Sequence, residues 1–371
     1  MIQNWIFSGG SNHWRSAMGL WVQTLCFLVI AAPVFGNDEI DYAFVSLADE
    51  DKVSLFELDK SSAKMKLVQD FEVEGDAGSQ HFDSRRSVLY LGLRNAGKIA
   101  ALKFDRDKKS LRPICVVDVD KDPAYLHLDR SGRWLFSAYY ATGRIACHPV
   151  LDSGEIGKKA QWVTTAPKAH AILPDATNRF VFVPHTGPEA IFQFRFNDKT
   201  GVLKPNEPAQ LNFKKGTGPR HIVAHPEHRS VFFSINEQGS SISELRMEVD
   251  SGILRHLKTE STLDVPNQIP NACADLEISN NGKFIYGANR GHDSISLFYF
   301  SGSGGIQREA IFKTEKTPRQ FSLSPDNQFL IAAGQSTNKL AIFRVNPHHG
   351  HLTRVGTQKT GRKPWWITIV D

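Results

Sequence analysis

Seven short apolar runs recur along this chain, each in the same place within a longer unit. They are AFVSL at 43–47, VLYLGL at 88–93, WLFSAY at 134–139, FVFVPH at 180–185, VFFSIN at 231–236, FIYGAN at 284–289 and FLIAAG at 329–334. With Phe44, Tyr90, Phe136, Phe182, Phe233, Tyr286 and Ile331 taken as equivalents, successive runs lie 45 to 53 residues apart. A unit of that length, carried through seven copies, means that neighbouring units bury one another's apolar faces in an array.

Each unit repeats one internal order. A first strand leads into a tight polar turn, such as LDRSGR at 128–133, LPDATNR at 173–179, HPEHRS at 225–230, ISNNGK at 278–283 or LSPDNQ at 323–328. The apolar run follows, then a short loop and an alternating third strand such as IFQFRF, ISLFYF or LAIFRV. A glycine turn (TGVL, SGIL, HGHL) opens a fourth strand. Period-two alternation punctuated by Gly, Asn, Asp and Pro is the hairpin signature, and four strands per unit is a propeller blade. The expected fold is all-β, a seven-bladed β-propeller over 37–371 with four antiparallel strands per blade. Constant spacing disfavours a β-sandwich or two unrelated β-domains.

Closure follows from the two ends. Trp365–Val370 reads as a first strand with nothing after it, and Tyr42–Leu47 as a second strand with nothing before it. Pairing them closes the ring in the N-terminal blade and removes the open sheet edges of a linear array.

Composition agrees and excludes several classes. Phe 24 and Gly 28 against Met 4 suit strands and turns, and 41% hydrophobic with 22% charged residues excludes a disordered chain. A net charge of +5 spread along the sequence makes no phosphate-backbone footprint, so no nucleic-acid partner is expected. Cys26, Cys115, Cys147 and Cys273 are too far apart for a disulfide framework or a zinc cluster and read as small apolar side chains.

Residues 1–36 read as a signal peptide. Met1–Trp14 lack acids, Arg15 supplies a firm positive charge, Ala17–Phe35 are mostly apolar, and the chain turns polar at Gly36-Asn37-Asp38-Glu39. Uncleaved, the apolar run is long enough to span a bilayer, although Gln23, Thr24 and Pro33 interrupt it. The expectation is cleavage after Gly36 and export to the periplasm or the exterior, with no membrane span in the mature, monomeric protein. A start codon assigned upstream of the true one would instead leave a cytoplasmic protein.

In a propeller the first strands line the central channel, and their beginnings share one face with the ends of the second strands. First strands bring His170, Arg220, His221, Asp275, Glu277, Arg319 and Trp365–Trp366 to that face; second-strand ends bring His185, Asn236, Glu237, Asn289, Arg290 and Gln335. Clustered guanidinium groups favour an anionic ligand, and a His or Glu among them moves protons near neutral pH. Taken singly, Arg220 and Glu237 also suit an ion pair locking adjacent blades, and His170 a satisfied strand-edge histidine. His185, His225 and His292 read as solvated turn residues, and NPHHGH at 346–351 as surface on the opposite face. No phosphate loop, G-x-S-x-G elbow or H-E-x-x-H is present, and no metal or cofactor is expected.

GPRHIVAHPEHRSVFFSINEQGSSI, ADLEISNNGKFIYGANRGHDSISLF and TPRQFSLSPDNQFLIAAGQSTNKLAIFRV closely resemble successive blades of the seven-bladed lactonase family. That family includes the bacterial propeller-type 6-phosphogluconolactonases and the fungal carboxymuconate cyclases. The resemblance implies a lactone hydrolase of the 6-phosphogluconolactonase type, working without metal or cofactor on a small anionic or sugar lactone. It implies a catalytic set at the channel mouth: Arg220 in GPRH, Glu237 in INEQ, Arg290 in NRGHDS and His170 in KAHA, a partial match to the family's PHxH or CHxA. KPWW replaces the family's GPxW, so Trp366 or its neighbour keeps the aromatic and Lys363 adds charge. His221, Asn236, Asn289, Arg319, Gln335, Lys363 and Trp366 are the expected substrate contacts, with Arg319 or Lys363 on a remote phosphate or carboxylate. Two other functions fit the same residues: a carboxymuconate-type cycloisomerase, and a non-catalytic exported propeller binding a ligand or partner.

Overall fold

The structure is a computed structural model that describes residues 39–371 apart from 159 and 266–268. The signal peptide read over 1–36, with Cys26, lies outside the described residues.

All regular structure described is strand. Blade one holds β1 (Ile40–Leu47), β2 (Lys52–Asp59) and β3 (Lys64–Glu72). Blade two is β4 (Ala77–Asp83), β5 (Val88–Leu93), β6 (Lys98–Asp105) and β7 (Ser110–Asp118). Blade three is β8 (Pro123–Leu128), β9 (Trp134–Tyr139), β10 (Arg144–Pro149) and β11 (Gln161–Thr164). Blade four is β12 (Leu173–Pro174), β13 (Phe180–His185), β14 (Ala190–Asn197) and β15 (Val202–Asn212). Blade five is β16 (Pro219–Ala224), β17 (Val231–Asn236), β18 (Ser241–Met247) and β19 (Leu254–Ser261). Blade six is β20 (Ala272–Ile278), β21 (Phe284–Arg290), β22 (Ser294–Phe300) and β23 (Ile306–Lys313). Blade seven is β24 (Pro318–Leu323), β25 (Phe329–Gly334), β26 (Lys339–Val345) and β27 (Leu352–Lys359). The last strand, β28 (Pro364–Val370), pairs antiparallel with β1 and gives blade one the order β28-β1-β2-β3. The ring closes as the two chain ends require.

Burial explains why the second strands read as unbroken apolar runs. In β5, β13, β17 and β25 every residue is buried, because both faces of the strand are covered by adjoining blades. The core is therefore distributed between blades. One cluster joins Val45 and Phe56 of blade one to Phe329 and Ile342 of blade seven, and six others fill the remaining interfaces. Outer strands such as Lys64–Glu72 and Leu254–Ser261 are mostly exposed and charge-rich, which blunts their edges against pairing with other chains.

The polar turns are held by the residue that opens them. Asp175 accepts from the amides of Thr177, Arg179 and Phe180, each at 2.8 Å. Asp129, Ser279 and Ser324 do the same in blades three, six and seven. In blade five the role falls to His225, whose Nδ1 accepts from Glu227 N at 3.1 Å and His228 N at 2.9 Å. His225 is thus a buried turn acceptor rather than a solvated residue. His185 is also fully buried, bonded to Thr165 Oγ1 and the Val183 carbonyl, because its strand end is covered by the blade-three connection. His292 is half-buried, while His348, His349 and His351 are exposed as expected.

Candidate active site

Four inner strands begin with the same irregularity. In each, one extra residue stands at the head of the strand and opposes no partner on the second strand. The extra residue is Ala124 in β8, Arg220 in β16, Arg319 in β24 and Trp365 in β28. A bulge turns the extra side chain out of the normal alternation, and here all four line one cavity of about 240 Å³ at the channel mouth. In blade five the preceding turn holds Gly218 at φ +61, a left-handed conformation that favours glycine.

In four blades the residue at or just past the end of the second strand supplies the other wall. Arg94, Tyr140 and Glu237 follow β5, β9 and β17, and Arg290 ends β21; all four line the cavity. His170 joins them from the irregular approach to β12, with its amide donating to the Pro184 carbonyl at 3.0 Å.

Glu237 sits between two arginines. Its Oε2 lies 3.1 Å from Arg220 Nε and its Oε1 lies 3.2 Å from Arg290 Nη2. Burial opposes the charge on Glu237, but Arg220 and Arg290 outweigh it and hold the carboxyl below its ordinary range. Arg290 also donates to the Ala272 and Cys273 carbonyls at 3.2 and 3.0 Å. Arg220 is buried and donates through Nη1 to the Ala274 carbonyl and to His221 Nε2. Its Nε is close to Glu237 yet out of line for a hydrogen bond, so that buried N–H has no partner among the described residues. Burial and Arg290 push Arg220 down to about 10, which leaves it charged at neutral pH.

His170 packs edge-on between the rings of Tyr140 and His221, with both centroid distances 5.3 Å. Its Nδ1 is buried without a partner among the described residues. Burial and the nearby Arg220 hold it well below the ordinary histidine range, so it is neutral at physiological pH. Trp365 stacks against Arg319, and Trp366 packs beside Tyr125 and His221 deeper in the channel. Four guanidinium groups against two carboxylates line the cavity, so it carries a positive excess suited to an anion.

His170, Arg220, His221, Glu237, Arg290, Arg319 and Trp366 are therefore brought together. Asn236, Asn289, Gln335 and Lys363 are not. Asn236 is buried inside blade five, where its amide donates to Ser241 Oγ and Ser243 Oγ at 3.0 and 2.9 Å. Asn289 does the same with Ser294 and Ser296 in blade six. Both asparagines precede the residue that faces the cavity, and strand alternation turns them into the sheet. Gln335 holds the required position but does not line the cavity, and Lys363 pairs with Asp49 at 2.9 Å on the rim. Sequence reading passed over Arg94, Asp122, Ala124, Tyr140 and Gln320. Arg94 and Tyr140 stand directly after VLYLGL and WLFSAY, the offset at which Glu237 follows VFFSIN, so that signal was present.

The chain is similar to the 6-phosphogluconolactonase of Pectobacterium carotovorum subsp. carotovorum, 26% identical over 328 residues, covering 88% of this chain and 98% of that protein. It is similarly 27% identical to the 6-phosphogluconolactonase of Yersinia pestis over 329 residues, covering 88% and 97%. Among solved structures, the periplasmic gluconolactonase of Pseudomonas aeruginosa superposes with a TM-score of 0.82 at 21% identity, covering 90% of this chain and 99% of that one. A Lactobacillus plantarum protein gives 0.82 at 19% identity, covering 90% and 100%; at these identities the likeness speaks for the fold. The family model described as "Lactonase, 7-bladed beta-propeller" matches residues 42–369, nearly the whole ring. By fold, by cavity and by that match, this chain belongs to the seven-bladed β-propeller lactonase family.

Proposed function

We propose that this protein hydrolyses a lactone in the cavity at the channel mouth. The observation that carries the reading is the pairing of a charged guanidinium cluster with a neutral, unpartnered histidine in one enclosed space. His170 takes a proton from water as the water oxygen adds to the ring carbonyl. The carbonyl electron pair moves onto oxygen, where Arg220 or Arg290 stabilises it, an effect on the order of 3 kcal/mol for one well-placed donor. The ring C–O bond then breaks, His170 returns the proton to the departing alkoxide, and an open hydroxy acid leaves.

Glu237 keeps the two arginines charged and oriented. Its carboxylate is already committed to both, whereas the His170 imidazole is free. General-base assistance of this kind contributes roughly 10²–10⁴-fold. A bound anion neutralises part of the arginine field that depresses His170 and so strengthens it as a base.

The apolar run at 17–35 and the likeness to a periplasmic gluconolactonase support export. An exported enzyme meets unphosphorylated or uronic lactones rather than phosphosugars, and the charge-rich outer strands suit a monomer. The test is ring opening of gluconolactone and 6-phosphogluconolactone by the purified protein, with mass spectrometry of the mature N-terminus and of the product. Turnover with a gain of one water supports the reading. A product of unchanged mass, or binding without turnover, ends it.

A further inference from the structure

His221 lines the cavity, yet neither of its ring nitrogens is free to meet a ligand. Nδ1 lies 2.7 Å from Asp275 Oδ1, and Nε2 lies 3.1 Å from Arg220 Nη1. A guanidinium only donates. Nε2 must therefore carry the lone pair, which places the single ring proton on Nδ1 and makes Nδ1 the donor to Asp275. The opposite tautomer would set two N–H groups against each other at Arg220.

The anchor behind His221 is itself fixed. Asp275 is buried on β20, and its Oδ2 accepts from the Phe321 amide of the next blade at 3.4 Å. Its neighbour Glu277 is half-buried and accepts from the Leu323 amide at 2.7 Å. Burial and the adjacent Asp275 push Glu277 well up.

We propose that Asp275 and His221 are positioning residues for Arg220. Asp275 fixes the Nδ1–H tautomer of His221, and the exposed lone pair on Nε2 holds Arg220 Nη1 and sets the direction of the guanidinium. The relay spans blades five and six, so it locks the arginine relative to the Arg290 side of the cavity. A functional group held only by its own chain sits too loosely for transition-state stabilisation, and its support decides how well it works. His221 then acts through Arg220 and makes no polar contact with substrate. The inference rests on the lactone-hydrolysis reading above.

The experiment compares three full-chain variants, Asp275→Asn, His221→Asn and His221→Gln, on gluconolactone. A glutamine amide oxygen takes approximately the place of Nε2, while an asparagine amide takes that of Nδ1. Asp275→Asn and His221→Asn are expected to lower kcat by about 10- to 100-fold, the range for loss of an orienting partner. KM stays within about threefold of wild type, because ground-state binding is not what the relay supplies. His221→Gln retains most of kcat, since it restores the acceptor facing Arg220.

Nitrogen-15 spectra of the histidine-labelled wild type give a readout independent of turnover. His221 should show a protonated Nδ1 and a bare Nε2, with the Nδ1–H hydrogen bond weakened in Asp275→Asn. Equal kcat for His221→Gln and His221→Asn, or a protonated Nε2 in the wild type, overturns the proposal. If the wild type opens no lactone, the reaction assignment fails, and the spectra alone decide whether the relay exists. Should both histidine variants fail to fold, the wild-type tautomer still decides.

Discussion

The guanidinium carbon of Arg319 lies 3.7 Å from the centre of the Trp365 ring, closer than Arg94 at 4.3 Å or the Lys363 ammonium at 5.7 Å. Arg94 and Lys363 each have a carboxylate of their own, Asp122 at 2.6 Å and Asp49 at 2.9 Å. Arg319 pairs with none among the described residues. Burial and the neighbouring Arg220 hold it well below its ordinary range, a penalty that a bound anion relieves. Arg319→Ala is therefore expected to raise KM about tenfold or more for a phosphorylated or carboxylated lactone, from a charged hydrogen bond worth roughly 1.5–3 kcal/mol. KM for neutral gluconolactone should barely move. Parallel losses on both substrates would show that Arg319 does not select for charge.

Removing the oxyanion cluster should act on kcat. Arg220→Ala and Arg290→Ala are each expected to lower it by about 10²–10³-fold. Glu237→Gln keeps the shape but leaves two half-buried or buried guanidinium groups unpaired, so its loss of activity should come with a lower melting temperature. Wild-type turnover in Arg220→Ala and Glu237→Gln together would remove the site assignment.

Asn236 offers the opposite signature. Its two hydrogen bonds tie β17 to β18 inside the blade, so Asn236→Ala should destabilise the fold by about 1–3 kcal/mol while KM and the kcat of folded protein stay unchanged. Denaturant melts and steady-state kinetics on the same preparation distinguish this from a substrate contact.

Stability should fall with acid before the carboxylates titrate. Burial pushes His81, His148, His185 and His221 down to about 4 from 6.5. Above about pH 6.5 these groups are neutral folded or unfolded and contribute nothing. Between about 6.5 and about 4 the unfolded chain takes up protons that the folded chain refuses, so stability declines. Asp41 runs the other way, since burial raises it to about 6 despite Lys60, and its protonation favours the fold over a similar window. His127 and His170, held lower still, act with these four histidines against Asp41, Asp76 and Glu277, whose carboxyls burial raises, so the net effect is a loss. A melting temperature that rises from pH 6.5 to pH 4.5 would contradict this balance.

Much of the site was legible before the structure because strand alternation and the repeat offset are local properties. Arg220, Arg319 and Trp366 could be placed at the channel mouth from the beginning of a first strand, and Glu237 and Arg290 from the end of a second. The same offset applied one residue early produced Asn236 and Asn289, whose amides turn inward to bond serines of the next strand. His185 and His225 read as solvated from sequence because what covers them comes from neighbouring blades: the Thr165 connection over His185, and Gly282 and Phe300 of blade six over His225.

The apolar rhythm alone determined the seven blades, their four-strand order and the closure of β28 onto β1, since burial on both faces demands continuous apolar second strands and an unpaired edge demands a partner. Only the folded ring decided what the polar residues do. Bulges at the heads of the inner strands turned Arg220, Arg319 and Trp365 toward one space, and packing between blades set Glu237 between two arginines and His221 between Asp275 and Arg220. Those relationships depend on how separate blades face one another across the channel, a geometry that no local pattern encodes.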